Sequence, residues 1–109
     1  DKVAKQGQSS ERDIKALMDN ATSKKEKLFI IRSYRNNPIH SIIPELCSFA
    51  GDSSRDAELR IATIEALSWY THSWEKGEIV TTCKKLIASE KDQAIVTQAK
   101  RTFNRLTSF

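Results

Sequence analysis

Glycine, proline and cysteine are all scarce in this chain. Of its 109 residues only three are Gly, two are Pro and two are Cys. No Asn-Gly or Asp-Gly pair stands between alternating apolar residues, so the usual sign of a β-hairpin is missing. The two cysteines are too few for a disulfide scaffold, and they do not form a CxxC pair. These absences argue against an all-β fold and against a small disulfide-rich domain.

Long apolar runs and a strong net charge are absent as well. The longest uninterrupted apolar run is Leu28–Ile31, which is far too short to cross a bilayer. The net charge of +4 is mild and does not by itself indicate nucleic-acid binding. A hydrophobic fraction of 39% beside 29% charged residues is ordinary for a globular protein and argues against wholesale disorder.

The chain is predicted to hold one domain with a short tail. We interpret residues 1–9, which are polar and aperiodic, as a flexible N-terminal tail, and residues 10–109 as a single domain. The compartment stays open between the cytoplasm and export with the signal segment already removed.

Apolar residues recur at the spacing of one helix face in six segments. Capping residues precede several of them, at Ser23, at Ser53 or Ser54, and at Asp92. The spacing i, i+3, i+4, i+7 predicts six short helices and an all-α protein. The six apolar stripes run over Ile14–Ala21, Leu28–Tyr34, Ile39–Ala50, Leu59–Trp69, Ile79–Ile87 and Val96–Leu106.

The sequence also repeats internally. A shift of 37 residues carries the third helix onto the fifth, so that Ile43 meets Val80 and Leu46 meets Cys83. The same shift carries the fourth helix onto the sixth, where Ala62 meets Ala99. One offset that serves two helices predicts a repeated helix pair, whose neighbours stack to bury a common core.

The segment from Asp56 to Leu67, DAELRIATIEAL, resembles the first helix of a HEAT-like repeat. Ile43-Pro44-Glu45-Leu46 is similar to the second-helix pattern of such repeats, which often carries Pro in its first turns. The resemblance implies a right-handed α-α superhelix, a short solenoid of about three helix pairs. It also implies that Arg60 pairs with an acidic residue of an inter-repeat turn, either Asp56 or Asp52.

No pattern in the sequence indicates catalysis or metal binding. His40 and His72 are 32 residues apart, without a second ligand at metal spacing. Cys47 and Cys83 fall on helices that we expect to be neighbours; we interpret them as small buried apolar residues, with a disulfide as the alternative. Paired carboxylates, Gly-rich phosphate loops and nucleophile motifs are all missing from the sequence. We therefore expect a non-enzyme without a cofactor or small-molecule substrate.

Another protein is the partner that we expect. The module would present a curved, rigid surface, which reduces the ordering entropy lost on binding. Tyr70 and Trp74 could form an aromatic anchor, with Trp69 packed in the core. The predicted partner-binding residues are Tyr70, Trp74, Glu45, Lys84 and Lys85.

The alternative is weak, salt-dependent binding of nucleic acid. It would use the basic residues Lys84, Lys85, Lys100, Arg101 and Arg105. The third helix, however, contains no Lys or Arg, which counts against a continuous basic groove along the second helices.

Overall fold

Six α-helical segments follow one another in the computed structural model, which describes residues 13–36, 39–71 and 76–108. Residues 13–18 form α1. The later helices are α2 (Lys24–Asn36), α3 (Ile43–Gly51), α4 (Ala57–Leu67), α5 (Lys76–Ser89) and α6 (Gln93–Thr107), and a 3-10 turn (His40–Ile42) leads into α3. None of the three described ranges contains a β-strand. The prediction of an all-α protein is confirmed, while residues 1–9, interpreted as a tail, lie outside the described residues.

Polar side chains fix the starts of several helices. Ser23 Oγ accepts a hydrogen bond from the backbone N–H three residues on, at 3.2 Å. Asp92 accepts one from the N–H two residues on, at 2.9 Å. The cap of α4 is Asp56, at 3.2 Å, so the expectation of Ser53 or Ser54 there is wrong. Each cap satisfies a backbone donor that the helix itself leaves unpaired.

The helices pack in two rows. The central helix α4 packs against α2, α3 and α6, whereas α5 packs against α3 and α6. One row is therefore α2–α4–α6 and the other contains α3 and α5. The molecule measures 42 × 33 × 17 Å, and its smallest dimension fits two helical layers, because the axes of packed helices lie about 8–10 Å apart.

The 37-residue offset is visible in the burial of the side chains. Leu46 and its counterpart Cys83 are both buried, as are Ile42 and its counterpart Ile79. Leu59, on the fourth helix, is likewise buried together with its counterpart on the sixth. At these three positions, the two helix pairs thus place equivalent residues in the core.

Candidate protein-binding surface

Arg60 is buried, and its ion pair is with Glu90. Its Nη2 lies 2.6 Å from Glu90 Oε2, and its Nε donates to the carbonyl oxygen of Ala50 at 2.9 Å. The prediction that Arg60 pairs with Asp52 or Asp56 is wrong, because its acidic partner is Glu90. Arg60 reaches forward to the turn after α5, not back into the turn that precedes its own helix.

The two acids that the resemblance assigned to Arg60 have other local partners. Asp56 caps α4 and lies 3.3 Å from the amino group of Lys24. Asp52 accepts hydrogen bonds from the backbone N–H and the hydroxyl of Ser54, which lower the pKa of Asp52. Both carboxylates are therefore held within surface contacts, away from the buried guanidinium.

The aromatic residues after α4 exchange the roles that the sequence suggests. Tyr70, predicted to bind a partner, is only 2% exposed, and its hydroxyl accepts from the N–H of Ile39 at 3.1 Å and donates to the Ile39 carbonyl at 3.2 Å. Trp69, predicted to lie in the core, is 40% exposed. The helix ends at Leu67, so the 3.6-residue period no longer decides which way these two side chains face. Tyr70 is thus a packing residue and is not available to a partner.

Two arginines, one from α2 and one from α6, contact the ring of Trp69. The guanidinium carbon of Arg35, on α2, lies 5.3 Å from the centre of the Trp69 ring, and that of Arg105, on α6, lies 4.3 Å from it. Arg35 also forms an ion pair of 3.5 Å with Glu65 of α4, and Arg105 Nε donates to the carbonyl oxygen of Ser68 at 3.0 Å. We call Arg35, Glu65, Trp69 and Arg105 the Trp69 cluster.

The Trp69 cluster combines an exposed indole with two fixed guanidinium groups. Cation–π contacts of this kind stabilise by about 0.5–1 kcal/mol each at exposed sites, so they orient the ring more than they support the fold. Both arginines are restrained before any partner arrives, which lowers the entropy lost on binding. Trp and Arg are also the residue types most enriched at the centres of protein interfaces.

The other predicted partner-binding residues lie elsewhere. Glu45 is exposed in the first turn of α3, and Lys84 and Lys85 are exposed on α5. Lys84 Nζ lies 6.0 Å from the ring centre of Phe103. Trp74 lies outside the described residues. The structure therefore does not bring the predicted set together around Tyr70.

A cavity of about 430 Å³ lies between α3 and α5. Lys85 is among the residues that line this cavity. The only carboxylate among the described residues of the lining belongs to Glu90, which already forms an ion pair with Arg60. The hydrogen bond from Arg60 lowers the pKa of Glu90, which makes this carboxylate a weaker base than an ordinary glutamate. The remaining polar lining consists of the hydroxyls of Ser48, Ser53, Thr82 and Ser89.

Cys47 and Cys83 are free, buried thiols. Burial raises the pKa of Cys47 to about 11 and that of Cys83 to about 12. Thiols with such values are inert as nucleophiles at neutral pH, which agrees with the interpretation as small apolar core residues.

No metal-binding group of side chains is present in the part of the chain that the structure describes. His72 falls outside that part, and the side chain of His40 does too. Within the same ranges, no helix has both the length and the apolar character needed to span a membrane.

The basic residues of the nucleic-acid alternative do not form one stripe. Lys100 and Arg105 are both exposed on α6, but at 100° per residue they lie about 140° apart around it. Arg105 is bound to Ser68 at the end of α4, whereas Lys100 shares the side of α6 that carries Phe103.

Sequence reasoning missed two features of this region, and only the first of them carried a signal in the sequence. The 37-residue offset places Glu90 on Ser53, within the turn that supplies acidic partners, so it could have been proposed as the partner of Arg60. The Trp69 cluster has no comparable signal, because residues that are far apart in the sequence form it. Arg35 and its partner Glu65, for example, are 30 residues apart.

Comparison with known proteins gives no match: no family model, no curated protein and no solved structure is significantly similar to this chain.

Proposed function

We propose that this chain is a non-catalytic protein-binding module, and that the Trp69 cluster is the centre of its binding surface. The observation that carries the proposal is the position of Trp69, which is 40% exposed while two arginine side chains hold its ring. Covering the exposed part of the indole, on the order of 100 Å², would contribute about 2 kcal/mol to binding. That is the magnitude expected of an interface hot spot.

The proposed partner presents apolar and acidic groups together. The indole offers an apolar surface, and Arg35 and Arg105 offer guanidinium donors that match carboxylates. Glu65 already binds Arg35 at 3.5 Å, so an incoming carboxylate would extend an existing ion pair.

The architecture that we propose is a short HEAT-like solenoid, a right-handed α-α superhelix of about three helix pairs. The 37-residue offset and the two helical rows support it. In such a stack each pair is fixed by its neighbours, so the Trp69 cluster, which spans α2, α4 and α6, would be presented rigidly.

The proposal can be tested with a photo-crosslinking residue at position 36. Asn36 is exposed beside Arg35, so the crosslinker would sit next to the cluster without replacing it. The chain is irradiated in lysate with Trp69 intact, with Trp69→Ala, and with Phe29→Ala as the matched control, since Phe29 is 74% exposed on the same helix as Arg35.

We expect one discrete protein adduct that survives nuclease and high salt, is lost with Trp69→Ala and persists with Phe29→Ala. An adduct that Trp69→Ala leaves unchanged would remove the cluster from the proposal. An adduct with nucleic acid that disappears at high salt would favour the alternative of weak nucleic-acid binding.

A further inference from the structure

The C-terminal face of the stack is less covered than its repeat counterpart. Ile43, Ala50 and Ala66, in α3 and α4, are 0%, 0% and 1% exposed. A shift of 37 residues carries them onto three apolar residues of α5 and α6 that are only partly buried, namely Val80, Ile87 and Phe103. The pair α3 and α4 is covered because α5 packs on α3 and α6 packs on α4. No helix among the described residues does the same for α5 and α6.

Two lysines stand on this face where the preceding pair has buried residues. The counterpart of Lys84 is Cys47, which is 6% exposed. The counterpart of Lys100 is Thr63, which is 0% exposed. Both lysines are exposed, and Lys84 Nζ lies 6.0 Å from the ring centre of Phe103. We call Val80, Ile87, Phe103, Lys84 and Lys100 the α5–α6 face.

We propose that the α5–α6 face is a second interaction surface, which binds an amphipathic α-helix of a partner protein whose apolar stripe is flanked by Asp or Glu. A helix fits because helices cover the counterpart positions in α3 and α4. Acidic flanks fit because Lys84 and Lys100 would lie beside the buried apolar contact, where charges of opposite sign are complementary and like charges cost several kcal/mol.

The same charges disfavour a second copy of this chain as the occupant. A symmetric dimer places the same patch of both copies together, so Lys84 and Lys100 of each copy would meet those of the other. The face is also separate from the Trp69 cluster, because Phe103 and Arg105 lie on different sides of α6, toward Lys84 and toward Ser68. The two proposals can therefore fail independently.

The test uses the whole chain and a synthetic helical peptide of about 20 residues, long enough to be partly helical alone. The peptide carries Leu at i, i+3, i+4, i+7 with Glu on both flanks, and a second peptide carries Lys in place of every Glu. Binding is followed by methyl NMR of the valine and isoleucine residues. We expect the acidic peptide to shift the signals of Val80 and Ile87, and the basic peptide to leave them in place.

A charge reversal provides the matched comparison. Lys84→Glu with Lys100→Glu should slow association of the acidic peptide by roughly tenfold. Lys15→Glu with Lys25→Glu makes the same change of net charge at exposed positions of α1 and α2, and should have a much smaller effect. All four substitutions are at exposed positions, so circular dichroism should show an unchanged fold.

Three results would overturn the proposal. Binding of neither peptide would mean that the lysines only keep the face hydrated. Equal binding of both peptides, or equal effects of the two charge reversals, would remove the acidic complementarity. A dimer detected by light scattering and blocking these methyl groups would make a second copy the occupant. Trp69→Ala should leave peptide binding unchanged, which separates this test from that of the proposed function.

Discussion

Arg60 and Glu90, thirty residues apart, are joined by an ion pair of 2.6 Å between Nη2 and Oε2. The Arg60 side chain is 4% exposed and that of Glu90 is 14% exposed. Arg60 also donates to the carbonyl oxygen of Ala50. One guanidinium therefore connects α4 to the end of α3 and to the turn between α5 and α6, so that both helix pairs share it.

Glu90→Gln should destabilise the fold by about 2 kcal/mol, because it leaves a buried guanidinium without its counter-charge. The value lies below that of a fully buried pair because water still reaches the carboxylate. Urea unfolding followed by circular dichroism measures the loss. Glu58→Gln is the control, since Glu58 forms an exposed pair with Lys24, and its effect should be much smaller. Equal losses in the two variants would contradict this account of Arg60.

The contribution of Glu90 should also depend on pH. The hydrogen bond from Arg60 lowers the pKa of Glu90 below its ordinary value of 4.5. The Glu90 carboxyl therefore binds a proton less strongly in the folded protein than in the unfolded chain. The free energy of unfolding consequently falls as the pH falls. The difference in unfolding free energy between the parent chain and Glu90→Gln should be constant above about pH 5 and shrink as the pH drops through the lowered pKa. A difference that stays constant down to pH 3 would show that the charge of Glu90 is not responsible.

Tyr70→Phe should cost about 1.5 kcal/mol, because the N–H and carbonyl of Ile39 both lose a partner. Tyr34 supplies a matched control. It is 1% exposed, and its hydroxyl has no hydrogen-bond partner among the described residues. Tyr34→Phe should be neutral or stabilising, since it removes a buried unpaired hydroxyl. Thermal unfolding of the two variants gives the comparison, and equal destabilisation would count against the hydrogen bonds to Ile39.

The thiols of Cys47 and Cys83 should react slowly with a disulfide reagent in the folded protein. Burial raises their pKa values to about 11 and 12, so the reactive thiolate is rare at pH 8. We expect the reaction to be at least about a hundredfold slower than in urea. Absorbance of the released thiol, measured with and without denaturant, checks this. Fast labelling of either residue under native conditions would show that it is accessible.

The periodicity of the sequence predicted the helices and the buried positions that repeat between them. It did not predict which way side chains face beyond a helix end, or which residues meet between helix pairs. The helices and the 37-residue offset follow from burial at regular spacing, and equivalent residues such as Leu46 and Cys83 are indeed both buried. Trp69 and Tyr70 come after the last residue of α4, where period no longer decides direction, and their roles are reversed. The partner of Arg60 is set by how two pairs stack, which spacing within one helix cannot reveal.

The hydrogen bonds of Tyr70 close residues 39–70 into a ring. α3 and α4 are joined at one end by the chain itself, and at the other end the Tyr70 hydroxyl binds the backbone of Ile39. Ile39 belongs to no helix, but its hydrogen bonds to Tyr70 mean that residues 39 and 70 are expected to unfold together. The amide of Ile39 should accordingly exchange its hydrogen with solvent as slowly as amides of the core, so that this stretch opens as one cooperative unit.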